Sequence, residues 1–117
     1  MSHSQFKVFK GKLESFQDLK KQIESFVDAE RVSARSIGIE FIEHSKEIFI
    51  SLGYSKDGTY MSVNIDSANL GKVDLNDTAK IESLMAAEAE KRNGVICHEL
   101  CITDTNEFMM IFMSATK

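Results

Sequence analysis

The stretch that most constrains the fold is the C-terminal one, residues 95 to 115, which reads VICHELCITDTNEFMMIFMSA. It predicts two strands joined by a polar turn at residues 103 to 107. The second strand is apolar on both faces. Phe108, Met110 and Phe112 point one way, while Met109, Ile111 and Met113 point the other. Such a strand folds stably only when each face is covered. Helices of the same domain can supply one cover. For the other face the expectation is a partner, a ligand or a second layer.

The preceding chain supplies the helices and more strands. Residues 5 to 11 alternate, with Phe6 and Val8 on one face and Phe9 on the other. Ser15 offers an N-cap with Asp18 three residues on, and Phe16, Leu19, Ile23, Phe26 and Val27 follow at helical spacing. Three alternating segments come next: Ile37/Ile39/Phe41, Ile48/Ile50/Leu52/Tyr54 and Met61/Val63/Ile65. Residues 44 to 46 predict a turn between the first two, and Lys56-Asp57-Gly58 predicts a hairpin before the third. Residues 67 to 75 read as an irregular connection in which Gly71 can take positive φ. Asn76 or Asp77 caps a second helix carrying Ile81, Leu84 and Met85 among alanines, closed by Asn93-Gly94.

Two matches suggest duplication. Residues 22–27 (QIESFV) resemble residues 80–85 (KIESLM), and residues 43–50 (EHSKEIFI) align with residues 103–110 (TDTNEFMM). The expected architecture is therefore a single α+β domain over residues 1 to 117. It is a two-layer sandwich in the order β-α-β-β-β-α-β-β, with about six antiparallel strands and both helices on one face.

Charge bounds the partners. Residues 1–21 carry Lys7, Lys10, Lys12, Lys20 and Lys21 against Glu14 and Asp18, whereas the rest of the chain is net acidic, giving −4 overall. Lysines interleaved with acids, and only Arg31, Arg35 and Arg92, do not make the dense basic stripe of a nucleic-acid binder. No apolar run reaches ~18 residues and no leader pattern is present, so the expectation is a cytoplasmic protein without a membrane partner. Met1 to Ser4, including His3, reads as a frayed start.

Cys97-His98-Glu99-Leu100-Cys101 invites a metal or thiol reading. On a strand, however, the two cysteine Cα atoms stand ~13 Å apart, beyond disulfide or shared-zinc reach. Alternation turns His98 away from both, so an enzyme using Cys97 or His98 is only a third reading. No phosphate loop, serine-nucleophile signature, metal motif or cofactor fingerprint is present. Among the carboxylates of Glu40, Glu43, Glu47 and Glu99, Glu40 and Glu99 lie in strands and are candidates, with Tyr54, Tyr60 and His98, for a pocket binding an apolar or cationic ligand.

The methionines of the last strand favour a different first reading. Met-rich surfaces adapt to apolar partners. The expectation is a non-catalytic, homodimeric protein-binding module that buries Met109, Ile111, Met113 and Phe49 between subunits. The helix, three-strand, helix, two-strand order and small acidic character resemble secretion-chaperone folds, here with an added N-terminal strand and no closing helix. That resemblance implies dimerisation and partner-protein binding. Inhibitor and toxin-neutralising (immunity) proteins fit the same small acidic body.

Overall fold

The computed structural model describes residues 4–42, 44–92, 94–103 and 105–116, so the readings of His3, Glu43 and Asn93 lie outside the described residues. Its elements are β1 (Gln5–Lys12), a 3-10 turn (Leu13–Ser15), α1 (Phe16–Glu30), β2 (Ser33–Ile42), β3 (Glu47–Ser55), β4 (Val63–Gly71), α2 (Thr78–Glu90), β5 (Val95–Ile102) and β6 (Phe108–Ala115). The α+β class, two helices and six antiparallel strands are as expected. The strands form two three-stranded sheets, ordered β1-β3-β2 and β4-β6-β5, where the sequence suggested one sheet.

Local signals fared unevenly. Asp77 caps α2 by accepting the Lys80 N–H at 3.1 Å, and Arg31 ends α1 in the left-handed region at φ 51. Ser15 stands before α1 but makes no capping bond, because the 3-10 turn already leads the chain into the helix. Residues expected to be irregular, Ser67 to Gly71, continue β4 against β6, with a register shift at Asn69/Gly71 and Gly71 at φ 82. The Asp57-Gly58 turn makes no hairpin. It carries the chain from one sheet to the other, since β3 pairs with β1 and β2 and β4 pairs with β6.

The core forms where α1 presents Leu19, Ile23 and Val27, all fully buried, to Ile48, Ile50 and Leu52 of β3. Each such side chain contributes about 1.5–3 kcal/mol by leaving water. Met109, Ile111 and Met113 of β6 enter this same core at 4%, 1% and 0% exposure. On the other face of β6, Met110 and Phe112 lie beneath Met85, Ala86 and Ala89 of α2, with the Arg92 guanidinium 4.2 Å from the Phe112 ring centroid. The doubly apolar strand is thus covered on both sides by its own chain. The predicted interface of Met109, Ile111 and Met113 is corrected: these residues are core and cannot meet a second subunit.

The expectation of both helices on one face is corrected, because the helices cover opposite faces. In each half, the strands joined through the helix are parallel, being both antiparallel to the strand between them. The Cys97 thiol lies against the Ile37 backbone and Cys101 beside Glu40, so β2 and β5 run side by side in the same direction. The two crossovers therefore travel in opposite directions across the molecule. The right-handed preference of such crossovers then sends α1 and α2 to opposite sides.

The sequence duplication has a structural counterpart. Both halves are strand-helix-strand-strand with the last strand central. Ile48 and Ile50 face α1, and the residues aligned with them, Phe108 and Met110, lie on the face of β6 that α2 covers. The reverse faces then correspond as Phe49, Ser51 and Gly53 with Met109, Ile111 and Met113. In the second half that reverse face is core. In the first half it has no cover among the described residues.

Candidate functional site

Small residues make the floor of this uncovered face. Gly38 stands opposite Ser51 and Ser36 opposite Gly53 across the β2–β3 ladder. A Cβ on Gly38 would come 2.8 Å from the Ser51 Oγ, so the serine tucks over its neighbour only because that neighbour is glycine. Apolar side chains stand around the floor: Phe6 is 70% exposed, Val8 58% and Phe49 36%. Phe6 pairs with Gly53, and its ring covers part of the backbone that the glycine leaves bare. Isolated exposed hydrophobes are ordinary, whereas these are neighbours on one uncovered sheet face.

An open recess of about 450 Å³ lies beside them, lined by Val8, Gly38, Ile39, Glu40, Phe49, Ser51 and Glu99. Glu40 comes from β2 and Glu99 from β5 of the other sheet, so the recess spans the seam between sheets. Among the described residues neither carboxylate is in an ion pair. Lys10 flanks the face, 3.7 Å from Glu47 and 6.0 Å from the Phe49 ring centroid.

Of the residues singled out in the sequence, Phe49, Glu40 and Glu99 thus come together, and the others do not. Tyr54 is buried on the opposite side of β3, edge-on to Phe26 with ring centroids 5.2 Å apart. Tyr60 donates to Asp28 Oδ1 at 2.6 Å beneath Arg31, and the Asp28 carboxylate pushes its phenol above the ordinary value. His98 lies against α2 with Met85 and Ala89, on the face of β5 away from the cysteines.

Cys97 and Cys101 are free, half-buried thiols packed against the core. Burial, above all, raises both; Cys101, also facing Glu40 and Glu99, is pushed up to about 11. Such thiols stay protonated near neutrality and make poor nucleophiles. This arrangement gives no support to the cysteine-histidine enzyme reading. Among the described residues no three His, Cys, Asp or Glu side chains converge as metal ligands, and no helix is long and apolar enough to cross a membrane.

Sequence reasoning missed Phe6, Val8, Gly38 and Ser51. The usable signal was the alternation of β1: once Phe9 packs inward on Phe26, Phe6 and Val8 must point outward.

The strand edges differ as sharply as the faces. On β4, Glu24 Oε2 of α1 accepts the Ile65 N–H at 2.8 Å, and Lys20 Nζ donates to the Ile65 carbonyl at 3.0 Å and to Glu24 at 2.6 Å. Helix side chains thereby occupy part of that edge. β2 and β5 lie against each other. Among the described residues, nothing pairs with the free edge of β1.

No protein family, no curated protein and no solved structure matches the chain.

Proposed function

We propose that this protein is a non-catalytic protein-binding module that docks its partner on the outer face of the β1-β3-β2 sheet. One observation carries the reading: Phe6, Val8 and Phe49 stand exposed around a glycine and serine floor on a sheet face that neither helix covers. Glu40 and Glu99 beside it, in no ion pair among the described residues, favour a partner segment that is apolar with a basic residue, since a cation there would face two carboxylates. Chaperone, inhibitor and immunity roles are each compatible with such a surface.

The test is a photoreactive amino acid placed at position 8 or 49, compared with position 83 on the exposed side of α2, and irradiated in the producing cells. A discrete adduct with another protein from positions 8 and 49, absent from position 83, is expected. No adduct, the same adducts from position 83, or adducts with a second copy alone would overturn the reading.

A second reading is favoured by the recess itself: the seam between Glu40 and Glu99 could hold a small apolar cation. Alkylammonium ions should then raise the melting temperature of the wild type but not of Glu40→Gln/Glu99→Gln. A series that leaves the wild type unshifted removes this reading.

A further inference from the structure

We infer that a second copy of this chain pairs antiparallel along the free edge of β1, centred on Val8, joining two first sheets into one. This rests on the reading of the first sheet as the working surface and extends it, because edge pairing leaves the outer faces open and sets them side by side.

Three observations converge on β1. Among the described residues nothing covers its edge, while Lys20 and Glu24 occupy part of the β4 edge and β2 and β5 shield each other. Its outward residues include an exposed apolar pair, Phe6 and Val8, so pairing would bury apolar surface as well as satisfy backbone groups.

The third observation is the residue pattern. Around Val8 the strand reads Phe6-Lys7-Val8-Phe9-Lys10. Turned antiparallel on itself about Val8, it sets Phe6 opposite Lys10, Lys7 opposite Phe9, and Val8 opposite its own copy. No lysine of this segment then meets a lysine; Lys7 lies across from the buried Phe9, and Lys10 lies across from the exposed Phe6 ring. The chain already uses that contact internally, with Lys7 over Phe26 and Lys10 over Phe49. A parallel arrangement in register would stack Lys7, Lys10 and Lys12 on their copies, and an antiparallel one centred on Lys7 would oppose two ammonium groups. Like charges directly opposite destabilise a strand pair, so the charge pattern disfavours both of these arrangements and admits the Val8-centred one, which also sets the two exposed Val8 side chains against each other. Even pairing of this kind also keeps outward residues beside outward residues, which a continuous sheet requires.

The test is sedimentation of the full chain at micromolar concentration, with Val8→Lys and Val8→Asp studied alone and mixed. The wild type is expected at twice 13.2 kDa. Each variant alone should fall to half the wild-type mass, because it opposes two like charges at the dyad. The equimolar mixture should recover the double mass, because Lys then meets Asp. Circular dichroism matching the wild type in each variant shows that the half-mass species is folded. A wild type that stays monomeric, variants that remain dimeric, or a mixture that fails to reassociate overturns the inference. A monomer that still cross-links another protein from positions 8 and 49 would sink the self-pairing alone. A dimer that cross-links nothing else would sink the docking reading alone.

Discussion

Glu24 stands in for a missing strand beside Ile65. Its carboxylate accepts the Ile65 N–H at 2.8 Å, while Lys20, one helical turn earlier, gives its ammonium to the Ile65 carbonyl at 3.0 Å and to Glu24 at 2.6 Å. An i, i+4 pair on a helix thus presents a donor and an acceptor at the spacing a neighbouring strand would offer. The contact also fixes α1 across both sheets, since the same helix packs Leu19 against β1 and β3.

Replacing Glu24 with alanine leaves the Ile65 N–H without its acceptor. The expected loss is about 1–2 kcal/mol in urea unfolding, with faster hydrogen exchange at the Ile65 amide. Glu24→Gln keeps an acceptor oxygen and should retain most of the stability. Equal losses in the two variants would show that the carboxylate charge, and not the edge contact, matters.

The two apolar populations should respond oppositely to truncation. Met113→Ala opens a cavity in the shared core and is expected to destabilise by about 2–5 kcal/mol. Phe6→Ala removes a larger side chain but one already in water, and should change stability by no more than about 0.5 kcal/mol at protein concentrations low enough to keep the chain monomeric. Denaturant midpoints of the pair measure this directly.

Gly11 lies where α1 crosses β1, and a Cβ there would sit 2.8 Å from Leu19 Cγ. Leu19 is fully buried and has nowhere to retreat. Gly11→Ala should therefore destabilise by about 1–3 kcal/mol through overpacking. Leu19→Ala/Gly11→Ala, with the clash relieved, should cost less than the sum of the single changes.

The thiol of Cys101 predicts a one-sided pH effect. Its folded value of about 11 lies above the ordinary 9.0, because burial and the nearby Glu40 and Glu99 disfavour the thiolate. Below pH 9 the thiol is protonated whether the chain is folded or not, and stability does not depend on it. Between 9.0 and about 11 the unfolded chain ionises while the folded one does not, so stability falls as pH rises. Cys101→Ala should flatten that limb of the profile. Alkylation of the wild type by iodoacetamide should be slow at pH 8 and accelerate towards pH 11.

Much of the local structure could be read directly. The alternation of β1, β3 and β6, the apolar stripe of α1 and the Asp77 cap depend on neighbours within a few residues, where side-chain period and turn chemistry act. Phe49, Glu40 and Glu99 were legible as candidates for the same reason. What they belonged to was not. Phe49 and Met109 hold equivalent places in the two matched halves, yet one faces water and the other is core.

The sequence by itself thus determined which residues share a face and that both faces of the last strand need covering. Only the tertiary structure decided what does the covering. Parallel alignment of β2 and β5, with right-handed crossovers in both halves, sends the helices to opposite sides. The second sheet is enclosed between them and the outer face of the first stays open. That outcome depends on how two strands far apart in the chain meet, and no short-range pattern encodes it.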